Sequence, residues 1–221
     1  MPTLTFLGHA ACIIKGEHST VVIDPFLTGN PAATIGPQEV TCTHVALSHG
    51  HEDHVGDTLA IAGANDATIV ASYEICNWAS GEGHENVNPG NPGGRVPLNS
   101  DDWLAFTRAY HSSSYEGRYM GQPCGLIVHV DGRTVYHAGD TDLFSDMKLI
   151  GETYNPDVAM LPIGDRFTMG PALATKAADF VGAPRVVPMH YDTWPPIEVD
   201  VHQFKPAAEV CLMQAGDTLE L

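Results

Sequence analysis

The sequence predicts a mixed α/β fold with two sheets packed face to face and helices on the outside. Two groups of short apolar or alternating runs indicate the strands, and each group is followed by segments with helical periodicity. The first group lies at residues 3–7, 11–14 and 20–24, where glycines separate the runs as in an antiparallel meander. The second group starts at Trp103. Strand groups followed by helical crossovers are typical of layered α/β domains.

The remaining elements alternate between strand and helix. In the first half, strands are predicted at 45–48 and 68–71, helices at 54–62 and 73–78, and an irregular glycine-, asparagine- and proline-rich loop at 81–94. In the second half, strands are predicted at 103–110, 125–130, 133–136, 157–161 and 185–187. A hairpin turn is predicted at Asp131-Gly132, and helices at 145–152 and 171–181, the latter beginning with proline.

Length and composition predict one domain that covers residues 1–221. A chain of 221 residues with 43% hydrophobic residues can bury a substantial core. No run approaches the length of a membrane span, and residues 1–6 lack the basic start of a signal peptide, so a cytoplasmic location is the default expectation. The five scattered cysteines are predicted to be small buried residues rather than disulfides or metal ligands.

The segment from His49 to His54 carries the clearest functional indication. It reads His-Gly-His-Glu-Asp-His and places four metal-capable side chains within a few positions. Zinc accepts imidazole and carboxylate ligands together. Alternate residues of an extended turn can direct His49 and His51 at one ion, while Asp53 and His54 diverge toward a second. The alternatives are a histidine-rich surface loop or histidines satisfied by hydrogen bonds at a helix start, but the apolar residues on both sides of the segment argue against a solvated loop.

Three further metal-capable residues each follow a predicted strand. Functional groups of open sheets gather beyond the carboxyl ends of the strands, so these residues are expected to join the first segment. The sequence therefore predicts one ion held by His49, His51 and His111, a second held by Asp53, His54 and His190, and Asp140 between them.

This series resembles the metal ligands of the metallo-β-lactamase superfamily. The likeness extends along the chain through Leu7-Gly8-His9-Ala10, Ile23-Asp24-Pro25, Gly139-Asp140-Thr141 and Pro188-Met-His-Tyr191. It is similar to small prokaryotic metal-dependent hydrolases of unassigned substrate, and more distantly to ascorbate-6-phosphate lactonase and to N-acyl-phosphatidylethanolamine phospholipase D. True β-lactamases usually place a cysteine in the second site, whereas His54 and Asp140 resemble the glyoxalase II-like branch. The resemblance implies a four-layer αββα sandwich.

Two divalent ions are the expected cofactors, with zinc first and manganese, nickel or iron as alternatives. A water bridging two such ions loses its proton near neutrality, since even one zinc lowers its pKa to about 7. The expected reaction is attack of this hydroxide on a small ester, lactone or phosphodiester. Asp53 is predicted to be catalytic as well as a ligand, because its carboxylate can accept a hydrogen bond from the nucleophile. A metal-binding oxidoreductase and a noncatalytic metal-binding module are the alternatives.

Charge narrows the expected partners to a small-molecule substrate. The net charge is −17, and no cluster of lysine and arginine could neutralise several phosphates, so neither nucleic acid nor a membrane is expected. Association into a homo-oligomer is left open.

Five residues outside the ligand set are candidates for supporting roles. Asp24 follows a strand and is predicted to hold a ligand histidine or the metal loop, with a turn aspartate as the alternative. His9 could line the mouth of the site, or be a polar side chain satisfied at a strand end. Arg118, Arg166 and Tyr191 flank the motifs and are candidates for binding an anionic group.

Overall fold

The computed structural model describes all 221 residues and contains two seven-stranded sheets. In the first sheet the strands lie in the order β16 (Thr218–Glu220), β1 (Thr3–Gly8), β2 (Ala11–Lys15), β3 (Thr20–Ile23), β4 (His44–Ala46), β5 (Thr68–Ser72) and β6 (Val87–Gly90). In the second sheet the order is β15 (Glu209–Val210), β14 (Arg185–Met189), β13 (Val158–Pro162), β12 (Arg133–His137), β11 (Cys124–Val130), β8 (Trp103–Arg108) and β7 (Arg95–Pro97).

A small hairpin and five α-helices complete the fold. The hairpin pairs β9 with β10, at Ser114–Tyr115 and Arg118–Tyr119. The helices α1 to α5 span Glu52–Val55, Thr58–Asn65, Tyr73–Gly81, Met147–Tyr154 and Pro171–Val181. None of these helices is both long and apolar enough to cross a membrane.

Successive side chains of each strand point to opposite faces of its sheet, and this alternation produces the layers of the fold. Val21 and Ile23 of β3 point into the core between the two sheets, whereas Val22 points to the opposite face, where α2 and α3 pack. In β11, Leu126 belongs to the central core and its neighbour Ile127 packs in the cluster that includes α4 and α5. Helices therefore cover the outer face of each sheet, and the predicted αββα sandwich is confirmed.

The strand directions bring the functional residues to one edge. β3 to β6 are mutually parallel, and so are β12 to β15. β2 is antiparallel to both β1 and β3, so β1 and β3 run in the same direction. β11 is likewise antiparallel to both β8 and β12, so β8 and β12 run in the same direction. The carboxyl ends of these strands meet at a common edge, where the candidate ligands lie.

The predicted continuous helix at residues 54–62 is wrong. The structure has two helices, α1 and α2, which are separated by Gly56 with a φ of 39°. A Cβ atom at Gly56 would lie 2.5 Å from the carbonyl oxygen of Pro25, so the backbone turns where only glycine fits. The apolar spacing continues across this break, and for that reason periodicity did not reveal it.

The loop predicted at 81–94 is also wrong in part, because residues 87–90 form β6. This strand is the edge of the first sheet and pairs in parallel with β5, so it can accommodate Pro89. Pairing with a neighbouring strand here overrides a composition that is typical of loops. The short strands β7, β9, β10, β15 and β16 were not predicted, and the other elements differ from their predicted bounds by a few residues.

Candidate metal centre

The loop after β4 is held in an extended conformation by its contacts with residues 113–120. A Cβ atom at Gly50 would lie 2.2 Å from the Cβ of Met120, so no other residue fits between the two histidines. The Gly50 amide donates a hydrogen bond to the Ser113 hydroxyl at 3.1 Å. This close packing directs the side chains of His49 and His51 to the same side.

Three imidazoles converge beside this loop. His49 Nε2 lies 3.0 Å from His51 Nδ1, and the ring of His111 is 5.1 Å from that of His49 and 5.0 Å from that of His51. One nitrogen from each residue lies within 4.8 Å of the other two, so the three side chains could hold one metal ion. This is the first ligand set that the sequence predicted.

The second predicted set is assembled next to the first. Asp53 Oδ2 lies 3.5 Å from His190 Nε2 and 3.8 Å from His54 Nε2. Asp140 lies between the sets, because its carboxylate oxygens are 3.4 Å from His54 Nε2, 3.0 Å from His190 Nε2 and 3.5 Å from His111 Nε2. All of the predicted ligands therefore form one continuous cluster.

Unpaired buried atoms in this cluster fit a metal better than a closed hydrogen-bond network. His54 Nε2, His190 Nε2 and Asp140 Oδ1 are inaccessible to solvent and make no hydrogen bond, since even the 3.0 Å contact of His190 Nε2 with Asp140 Oδ2 lacks hydrogen-bond geometry. Leaving such atoms unpaired costs about 1–3 kcal/mol each, and buried polar atoms in folded proteins are rarely left so. Their convergence on a common space, together with a donor set of imidazole and carboxylate, is suited to divalent first-row ions.

A buried carboxylate behind the cluster orients two of its histidines. Asp24 Oδ2 accepts hydrogen bonds from His54 Nδ1 at 2.8 Å and from the Ser48 hydroxyl at 2.5 Å, while Oδ1 accepts one from the Ser48 amide at 2.8 Å. Ser48 Oγ in turn lies 3.0 Å from His49 Nδ1. Asp24 thus directs the other nitrogen of His54 into the cluster, as expected of a residue that supports metal ligands.

His9 lies inside the site and contacts Asp53. Its Nε2 is 3.1 Å from Asp53 Oδ2, and its Nδ1 is 2.8 Å from the hydroxyl of Thr193. Burial lowers the pKa of His9 to about 4, so the ring is neutral near pH 7. A neutral ring that donates from Nε2 to Asp53 accepts from Thr193 at Nδ1. The backbone carbonyl of His9 also accepts a hydrogen bond from the amide of the candidate ligand His190 at 2.7 Å.

The three candidates for binding an anion do not lie among the ligands. Arg118 is exposed and pairs with Glu82 at 3.5 Å, and Arg166 lies 5.5 Å from the ring of Phe167. Tyr191 lines a cavity of about 420 Å³ that His9 also lines. Sequence reasoning missed Ser48 and Thr193, because nothing in an isolated serine or threonine indicates its hydrogen-bond partner.

Buried carboxylates raise the pKa of two of the candidate ligand histidines. Burial lowers the pKa of His54 and of His190 because it disfavours the charged ring. The negative charges of Asp140 and Asp53 raise the pKa of both rings and outweigh the effect of burial. The pKa of His54 is raised well above its usual value, and that of His190 is raised to about 9. Without metal, both rings are therefore protonated at neutral pH, and metal binding must release these protons.

This protonation predicts a pH dependence for the chelated protein. A histidine whose pKa is raised in the folded state stabilises that state in full at pH values below its pKa in the unfolded state, about 6.5. This stabilisation is lost as the pH rises through the pKa in the folded state. After chelation, we expect the free energy of unfolding to fall by a few kcal/mol between about pH 6.5 and pH 9, at roughly 1.4 kcal/mol per unit of pKa shift. The metal-loaded protein should show no such fall. Denaturant titrations at several pH values test this, and a chelated protein equally stable throughout would contradict it.

Comparison with known proteins agrees with this geometry. Residues 19–191 match the model of the beta-lactamase superfamily domain. UPF0173 metal-dependent hydrolases are similar over nearly the whole chain: one from Thermococcus kodakarensis is 46% identical and covers 100% of both chains, and one from Bacillus thuringiensis is 45% identical and covers 99% of both. The solved structure of Igni18, a metallo hydrolase from Ignicoccus hospitalis, has a TM-score of 0.90 and 36% identity, covering 100% of this chain and 99% of that one. The chain therefore belongs to the UPF0173 metal-dependent hydrolases of the β-lactamase superfamily.

Proposed function

We propose that this protein is a dinuclear hydrolase of small carboxylic esters or lactones. The observation that supports two ions rather than one is the position of Asp140, whose carboxylate contacts His111 of one ligand set and His54 and His190 of the other. A carboxylate between two cations reduces their mutual repulsion, which a single-ion site does not require. Two ions bound there would lower the pKa of a water ligand toward neutrality and polarise a substrate carbonyl.

The protein's own contribution is to position these groups. Asp53 is held by the ring of His9, which Thr193 fixes from its other nitrogen. This arrangement leaves the carboxylate of Asp53 facing His54 and His190, where it can accept a hydrogen bond from the attacking water and orient it. Positioned acid–base groups of this kind typically contribute about 10² to 10⁴-fold to the rate.

The charge of the protein supports esters and lactones over phosphodiesters. The chain has 27 acidic and 10 basic side chains, and no basic track leads to the metal centre. A phosphodiester carries a charge at the reacting group itself, whereas a carboxylic ester or lactone is neutral there. Nucleic acid would need several cations along its backbone, so nuclease activity is not expected.

A screen with defined metal content tests this proposal. The chelated protein is reloaded separately with zinc, manganese, nickel or iron and offered lactones, carboxylic esters, thioesters, phosphodiesters and RNA. We expect metal-dependent turnover of esters or lactones, and no useful cleavage of RNA at moderate salt. Turnover confined to RNA or phosphodiesters would contradict the proposed substrate class. Activity only with iron and an oxidant would instead favour the oxidoreductase alternative.

A further inference from the structure

A cavity of about 600 Å³ opens beside ligand His111. Its size is suited to a small organic molecule. The polar side chains in its wall are Arg108 at the end of β8, Gln122, Tyr110 and His111 itself, and the rest of the wall is formed by Ala109 and two prolines, Pro92 and Pro123. Because His111 Nε2 lies 3.5 Å from Asp140, a molecule in this cavity would be adjacent to the metal centre.

Arg108 differs from every other arginine of the chain. Each of the other five has an ion-pair, hydrogen-bond or aromatic partner: Arg133 pairs with Asp157, Arg118 with Glu82, Arg185 donates to the carbonyl of Glu220, and Arg95 and Arg166 lie over Trp103 and Phe167. Arg108 has no carboxylate within 4.0 Å and makes no side-chain hydrogen bond. Arg108 is exposed at the end of β8 and its guanidinium group has no competing protein partner, so it is free to bind an anion that enters the cavity.

We infer that Arg108 binds a carboxylate group of the substrate, at the end of the molecule away from the bond that is cleaved. This inference rests on the proposed hydrolase function and narrows its substrate class to esters or lactones that carry one free carboxylate. The guanidinium group offers two parallel N–H donors that match the two oxygens of a carboxylate. The side-chain amide of Gln122 can supply a further donor.

A carboxylate fits the charges of this cavity better than a phosphate group does. Arg108 is the only lysine or arginine that lines the cavity, so one positive charge is available. A carboxylate carries one negative charge, whereas a phosphate monoester carries nearly two at neutral pH. The acidic surface would penalise the uncompensated second charge.

Binding of inert dicarboxylates tests this inference without depending on turnover. Glutarate offers one carboxylate to the metals and a second to Arg108, whereas butyrate has the same three saturated carbons and only one carboxylate. Calorimetry on the zinc-loaded protein would measure both affinities in the unmodified protein, Arg108→Gln, Arg108→Lys and the control Arg133→Gln. Arg133 makes an exposed ion pair with Asp157 at the opposite end of the strand that leads to Asp140, so its replacement removes the same charge away from the cavity.

We expect the ratio of glutarate to butyrate affinity to fall at least about tenfold in Arg108→Gln, because a charge-assisted bidentate contact is lost. Arg108→Lys should be intermediate, and Arg133→Gln should keep the ratio within about twofold. An unmodified protein that binds glutarate no better than butyrate, or an unchanged ratio in Arg108→Gln, would overturn the inference. If Arg108→Gln weakened 4-phosphonobutyrate but not glutarate, the anion would be a phosphate and the carboxylate assignment would be wrong. Failure of the ester screen with the glutarate result intact would overturn the proposed reaction and leave this site standing.

Discussion

Replacing Asp53 by asparagine should lower turnover at least about a hundredfold even when both metal sites are filled. The carboxylate of Asp53 accepts a hydrogen bond from His9 and faces His54 and His190, so it is placed to bind metal and to orient the attacking water. An amide is nearly the same size but accepts a weaker hydrogen bond and carries no charge. Because positioned acid–base groups contribute about 10² to 10⁴-fold, the loss should persist at saturating metal.

Metal content must be measured in the same sample, because loss of occupancy would also lower activity. Glu52→Gln is a matched control: Glu52 is the preceding residue of α1, is exposed, and makes none of the site contacts. We expect this control to keep nearly full turnover and full occupancy. If Asp53→Asn at full occupancy turned over within a few-fold of the unmodified protein, Asp53 would be a ligand without a role in orienting water.

Replacing Asp24 by alanine should destabilise the metal-free protein by about 3–5 kcal/mol, the usual cost of removing one partner of a buried ion pair. The side chain of Asp24 is fully buried and accepts hydrogen bonds from His54 and from both the amide and the hydroxyl of Ser48. Alanine would leave these donors without partners. Loss of such a supporting residue typically also lowers metal affinity by about 10- to 100-fold.

Two further variants separate the contributions of charge and shape at this position. Asp24→Asn keeps the size of the side chain and tolerates the positive φ of 45° at this residue, so it should lose less stability than alanine. Ser48→Ala removes only the contact with His49 and one bond to Asp24, and should have the smallest effect. Denaturant titration and competition with a chelator measure the two quantities. If Asp24→Ala were as stable as the unmodified protein and bound metal as tightly, Asp24 would not support the ligands.

The convergence of the candidate ligands could be predicted because their positions depend on local sequence. His111, Asp140 and His190 each follow a strand, and parallel strands place their carboxyl ends at the same edge. The layers could also be predicted, since alternation along strands such as β3 identifies the two faces of a sheet. These features need only the order and the spacing of residues.

Other features depend on contacts between distant segments, and sequence reasoning missed them. The break at Gly56 arises from its close approach to Pro25, and β6 forms because β5 offers an edge with which it can pair. Arg108 lies three positions before His111, but the sequence does not show which arginines find carboxylate partners. Arg118, whose position near the motif makes it a candidate in the sequence, has such a partner in Glu82.

Counting the metal ions in each chain tests the two-ion centre most directly. The protein would be reconstituted with excess zinc, freed of unbound metal, and analysed for metal and protein in the same sample, together with His49→Ala and His190→Ala. The two ligand sets meet at Asp140, so we expect two ions in the unmodified chain and about one in each variant. At most one ion per unmodified chain under these conditions, or full occupancy in both variants, would contradict a two-ion centre.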